Sequence, residues 1–241
     1  MKTSKSQQEK TRHNILRAAI DLFSSQGYEE TTMKDVARAA GVGDATVYKY
    51  FPGKEKLLLG FYESVLQQAL QETLATPDFE NYTLLEKLQR LLDAILYLLA
   101  QDRPFVEISR RVIGNSPLLL MRDQIPGHAA LKATILDFLQ QAEAQEEIAP
   151  CAWKGTIATL FLDYLLLVVL YWLNDKSRDN ADTTQLVELT LEILVLLLAS
   201  GLINKVTEFG SFMLRNQLAR LLGNGSGLFD VLKLAKRTLG G

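Results

Sequence analysis

Between Gly27 and Gly53 the chain is cut so often, at Gly27, Gly41, Gly43, Pro52 and Gly53, that only two very short helices fit. Glycine ends a helix by taking a left-handed conformation that other residues resist, and proline removes an N–H donor and restricts the residue before it. Upstream, Ile15, Ala18, Ala19, Leu22 and Phe23 recur at helical spacing, which predicts a first helix from about Gln8 to Ser25. Thr32 then stands as an N-cap, and Asp35, three residues on, completes an acidic variant of the capping box over "MKDVARAA". That second helix stops at Gly41. A third covers roughly 44 to 51, and a fourth runs from Lys54 to about Thr76.

Two short helices joined by a tight glycine turn are the physical content of a helix-turn-helix. Ala37, Val42, Val47 and Phe51 are spaced to face inward and pin the third helix against the first two. What remains outward is Asp44, Ala45, Thr46, Tyr48, Lys49 and Tyr50, a short, polar, aromatic and cationic set suited to entering the major groove of double-stranded DNA.

At these residues a resemblance is plain. "ILRAAIDLFSSQGYEETTMKDVARAAGVGDATVYKYFPGKEKLL" resembles the DNA-binding domain of the TetR family of transcription regulators. It shares the helix-1 pattern, the Gly-aromatic break, the Thr-Thr cap, the Ala and Gly of the turn, the Thr-x-Tyr-x-Tyr-Phe helix and the Lys-Glu that follows. The resemblance covers residues 9–69. It implies that Thr32 meets a phosphate, that Thr46 and Lys49 reach bases or nearby phosphates, and that Tyr48 and Tyr50 hydrogen-bond to phosphates. Tyr48 also has a thymine methyl within its reach, and Lys54 matches a lysine that grips the DNA backbone. Gly43 and Gly53 stand where the family often caps with serine. Asp44 departs further from the common pattern and has two readings: it is the N-cap or first residue of the third helix, favourable at the positive end of the dipole, or it accepts from cytosine N4 as a base reader.

The rest of the chain reads as long helices over about 83–101, 104–113, 127–145, 152–174 and 183–204, with no convincing strand. The fold expected is all-α: a small head, a larger body over 70–204, and a helical extension over 205–241. "TIATLFLDYLLLVVLYWLN" and "LVELTLEILVLLLASGLIN" are apolar enough to raise the question of a membrane, but Asp163 interrupts the first and Glu188 and Glu192 the second. Buried helices continuing into a subunit interface are expected instead, with Leu166, Val169, Leu170, Leu194 and Leu197 between two copies. In the extension, Leu228, Leu232, Ala235 and Leu239 share one face of a segment over 226–239.

Residues 1 to 60 hold ten Lys and Arg against seven Asp and Glu, whereas the whole chain carries −2, so a modestly basic head rides on an acidic body. The start does not read as a secretory signal, and the lone Cys151 has no partner for a disulfide; a cytoplasmic protein is expected. His13 and His128 stand in no recognisable catalytic arrangement, and no phosphate loop or metal spacing appears, so neither an enzyme nor a cofactor is expected. The resemblance implies a homodimer that binds an inverted-repeat operator, most often as a repressor, and answers to a small molecule held in the body. Aromatic and polar residues on the body helices are the candidates for that pocket: Tyr97, Phe105, Ile108, Arg111, Phe138, Phe161, Asp163, Tyr164 and Trp172. Their character favours a lipophilic effector.

Overall fold

In the computed structural model, which describes residues 5–114 and 126–223, Gly27 and Gly41 both adopt positive φ, 94° and 66°, and so make the cuts that define the head. The first helix, α1 (Lys5–Gln26), ends at Gly27. Thr32 caps α2 (Met33–Ala39): its Oγ1 accepts from Asp35 N at 3.2 Å, and the Asp35 carboxylate accepts from Thr32 N at 3.1 Å. After Gly41, Val42 N donates to Ala37 O at 3.0 Å, closing the turn into α3 (Asp44–Tyr50), and α4 (Lys54–Leu74) follows. Ile15, Ala19, Phe23, Val36, Ala37, Val47, Phe51, Leu57 and Leu58 bury the seam between these four helices.

The body is organised round α5 (Leu84–Gln101). A second capping box, Thr83 with Glu86, starts it, and one face is continuously buried through Leu84, Leu88, Leu91, Leu92, Ile95, Leu98 and Leu99. It packs against α4, α7 (His128–Ala144) and α9 (Ala181–Ala199), while α6 (Arg103–Gly114) lies against α1 and α8 (Lys154–Asn174) against α7. Lys87 is buried in this arrangement, its Nζ donating to Gln141 Oε1 at 3.0 Å. Despite Asp163, α8 has the length and apolar composition of a membrane span; its buried side is spent on the neighbouring helices.

One boundary differs from expectation. The single helix anticipated over 183–204 breaks at Ser200–Gly201, where Gly201 takes φ of 67° and its N donates to Leu198 O at 3.3 Å. The chain then bends by 65° into α10 (Leu202–Gly223). An apolar run hides such a break, because Gly201 alone carries the signal. The segment anticipated over 226–239 lies outside the described residues.

Loop geometry is fixed by carboxylates that accept several hydrogen bonds. Asp175 takes the hydroxyls of Ser177 and Thr183, at 2.6 and 2.5 Å, and the backbone N–H of both, joining α8 to α9. These bonds hold its carboxyl far below the usual aspartate range, and the Thr32 and Thr83 caps depress Asp35 and Glu86 in the same way. Each group binds a proton less readily folded than unfolded, so the stabilisation is complete above the ordinary carboxylate range and is lost progressively as pH falls from that range toward the lowered folded-state value. Thermal melts should therefore hold a constant midpoint from pH 7 to about 5.5 and decline below about pH 5, and Asp175→Asn should flatten that decline.

Candidate nucleic-acid interface

The position of α3 is decided by the two side chains it buries. Val47 and Phe51 are 0% and 3% exposed, and Phe51 lies so close to α4 that a Cβ added to Gly60 would stand 2.7 Å from Phe51 Cε1 and 3.2 Å from Leu16 Cδ2. Only glycine permits that approach. The Arg12 guanidinium lies over the same ring, 5.4 Å from its centre, and pairs with Glu63 of α4. Sequence reasoning missed Gly60, whose signal is a lone glycine inside an otherwise strong helix.

Fixing those two residues turns the remaining α3 side chains outward. Asp44, Ala45, Tyr48 and Lys49 are exposed, Tyr48 by 50%, whereas Thr46 and Tyr50 are half-buried. Thr32, at the exposed tip of α2, keeps its hydroxyl on Asp35 Oδ2 at 2.5 Å. Gly43 occupies the N-cap of α3, and Asp44 is the first helical residue, its side chain making no hydrogen bond or ion pair among the described residues. Asp44 thus stands at the positive end of the helix dipole without closing a side-chain cap. Lys54 is engaged within the head: its Nζ donates to Tyr28 O at 2.7 Å and Glu29 O at 3.2 Å and stands 4.5 Å from the Tyr28 ring centre. It clamps the corner after α1, where burial, with Glu55 and Glu29 nearby, pushes the Tyr28 phenol up to about 12.

The head shares its core with α6. Phe105 packs between Phe61 of α4 and Phe23 of α1, with ring centres 4.6 and 6.2 Å away, and Arg17 of α1 pairs with Asp102 at 2.9 Å. Tyr62 of α4 lies 2.5 Å from Ser109 Oγ. Since the one Ser109 hydroxyl proton goes to Val106 O at 2.9 Å, Tyr62 is the donor, and burial keeps it so by pushing its phenol up to about 12.

The other pocket candidates are dispersed. Phe138 packs on Phe79 at 5.6 Å and Phe161 on Tyr164 at 5.5 Å, and the Tyr164 hydroxyl meets Thr190 Oγ1 at 2.6 Å to join α8 to α9. Trp172 is covered by the Arg103 guanidinium at 4.7 Å. Ile108 and Asp163 are half-buried, Arg111 is exposed on α6, and Tyr97, 66% exposed, sits on the outside of α5 and does not enter the interior. Two grooves near the α7–α8 corner, both lined by Glu143, Pro150 and Lys154 and one of them also by residues of α10, contain none of these candidates. Of the residues nominated for a subunit interface, Leu166 is 51% exposed; Leu170 and Leu197 are half-buried, and Val169 and Leu194 pack on the core of their own chain. Beside Leu166, the large apolar residues that face outward are Leu160, Leu167 and Tyr171 on α8, and Leu189, Ile193 and Leu196 on α9.

Comparison with known proteins decides the family. Residues 15–60 match the family described as bacterial regulatory proteins, tetR family, and residues 87–213 match the tetracyclin repressor-like C-terminal domain. The chain belongs to the TetR family. It is a DNA-binding transcriptional regulator with an N-terminal helix-turn-helix and a helical C-terminal domain. It is 28% identical over 199 residues to the fatty acid metabolism regulator protein of Bacillus subtilis, which covers 79% of this chain and 95% of that one. It is 33% identical over 164 residues to the transcriptional regulator RutR of Escherichia coli, covering 64% and 68%. Among solved structures, the fold is similar to Thermus thermophilus FadR in complex with lauroyl-CoA, with a TM-score of 0.59 at 23% identity over 77% of this chain and 93% of that one. A TetR-family regulator from Syntrophomonas wolfei gives 0.61 at 22%, over 78% and 96%.

Because the family's reading helix must be held rigidly to fit a groove, the Phe51–Gly60 contact is a sharp point of test. Gly60→Ala should cost about 1–3 kcal/mol by overpacking, read as a lowered unfolding midpoint in denaturant. A neutral effect would mean that Phe51 has room to move.

Proposed function

We propose that this regulator is a cytoplasmic, non-catalytic homodimeric repressor, requiring no cofactor, that grips an inverted-repeat operator with two copies of α3 and releases it when a lipophilic effector enters the body. The observation that carries the proposal is the shared core: the helix that presents Tyr48, Lys49 and Asp44 rests, through Phe51 and α4, on the same aromatic cluster that holds α6. A ligand that moves α6 therefore moves the heads. The two reading helices fit half-sites only at a fixed separation, about 34–36 Å for successive turns on one face of DNA, so a small rotation weakens binding strongly.

Each side chain of the interface then has a role. Thr32 and the α2 N-terminus meet a phosphate; Tyr48 and Tyr50 offer phenol donors; Thr46, Ala45 and Lys49 face base edges or the adjoining phosphates. Lys54, with two of its three protons on the corner carbonyls, has one left for the DNA backbone. Asp44, exposed in the first turn of α3, reads cytosine N4. The effector class is an acyl chain, in keeping with the relative named for fatty acid metabolism and the FadR solved with lauroyl-CoA. The two copies meet through the outward rows of α8 and α9, and no membrane is involved.

Two substitutions test the placement of α3 on operator DNA. Tyr48→Ala should weaken binding about tenfold or more at every operator variant. Asp44→Asn should lose about 1–3 kcal/mol of discrimination at one base pair of each half-site and leave the unfolding midpoint unchanged. A uniform rise in affinity with unaltered base preference would show that Asp44 acts only as a repelling charge.

A further inference from the structure

The last described helix is amphipathic in the wrong sense for a helix that simply docks on its own subunit. Along α10, Leu202, Val206, Phe209 and Met213 form one row at helical spacing, 49%, 63%, 65% and 42% exposed, with Phe212 beside it at 55%. The side turned toward the body is small or polar: Asn204, Thr207 and Gly210 are half-buried there, and Asn204 Nδ2 donates to Pro150 O. Ile203 is the apolar side chain of α10 that packs against the core. An open groove remains beneath, between Asn204, Thr207 and Ser211 on α10 and Pro150 and Trp153 on the body. So large a contiguous apolar row on the outside of a helix marks a surface meant to be covered.

Resting on the homodimer proposed above, we propose that α10 is an arm covered by the second copy of this chain. The outward row of α9, Leu189, Ile193 and Leu196, is followed along the chain, past the Gly201 bend, by the outward row of α10. The 65° bend carries this second row away from the axis of α9, and in the proposed dimer each arm caps the edge of the opposite subunit's α8–α9 face. Charge favours a protein partner over an anionic lipid surface: among the described side chains, Lys205 is paired with Glu208 at 3.1 Å, and Arg215 Nε is bonded to Ser211 O at 3.3 Å. Together the arms enlarge the interface beyond a plain four-helix contact and fix the angle between the two bodies.

The test uses the full-length chain carrying Phe209→Glu and Met213→Glu, both on the outward row. Sedimentation equilibrium should show the dimer dissociation constant raised at least 100-fold, with the helical circular dichroism and the unfolding midpoint of the monomer retained. In parallel, a photo-crosslinking amino acid at position 209 should yield a covalent dimer. An unchanged dissociation constant with only intramolecular crosslinks would overturn the arm while leaving the dimer and the operator reading intact. Loss of dimerisation in the unaltered chain would instead sink the homodimer itself. Binding of the unaltered chain to vesicles of three parts phosphatidylcholine to one part phosphatidylglycerol, abolished by the two substitutions with dimerisation unaffected, would assign the row to a membrane and also overturn the proposal.

Discussion

Phe105 sits where the body takes hold of the head. With Phe23 and Phe61 it makes one aromatic core out of α1, α4 and α6, and the Arg17–Asp102 pair and the Tyr62–Ser109 hydrogen bond brace it on either side. Aromatic packing of this kind contributes both area and orientation, since rings prefer offset or edge-on contacts. The consequence is that the four N-terminal helices are not a freely tethered module. Their orientation is read off the body, and any change in the body is felt at α3.

The link from there to DNA is short and stiff. Gly60 lets the Phe51 ring close on α4, and Val47 is fully buried one turn earlier, so α3 is pinned against sliding or rolling independently of α4. On the far side, Gly127 at the start of α7 lies against Leu66 of the same helix. Thus α4 is touched by the reading helix, by α6 and by the entry to α7. A helix so placed moves as a rod, and a ligand needs to supply only the 1–3 kcal/mol typical of coupling between sites for the spacing of two heads to pass from matched to mismatched.

How much of this was legible in the sequence depends on how local each signal is. The head was written in backbone terms: Gly27, Gly41 and the Thr32–Asp35 box act on their own neighbours, and the structure cuts the chain at those points. The fold class followed from helical spacing in the same way. Gly60 escaped because its reason lies across space, in Phe51 and Leu16. Which residues of α8 and α9 face outward is not legible in the same way, because both helices are apolar nearly all round, so composition marks them as buried or paired without saying which residues face which way. Phe105 and Trp172 stood out as aromatics on body helices, but only the packing shows one joining α6 to the head and the other lying under Arg103. The Gly201 break was overlooked since one glycine in "LLLASGLIN" is a weak interruption of a strong pattern.

These constraints bear together on what a dimer of this chain can do. Reading heads locked to their bodies transmit ligand-driven motion only if the bodies are locked to each other; otherwise each head adjusts separately to its half-site and the ligand's work is dissipated at the interface. A stiff α3–α4–α6 unit therefore calls for a stiff subunit contact. In the proposed dimer the outward rows of α8 and α9 supply apolar surface near the two-fold axis, where a small change of angle is cheap. Surface placed farther out, as on an arm bent 65° from α9, resists such a change with a longer lever. The same apolar pattern that makes the C-terminal half hard to phase from sequence is thus what a regulator of this construction needs in order to turn a local ligand contact into a fixed displacement at the DNA.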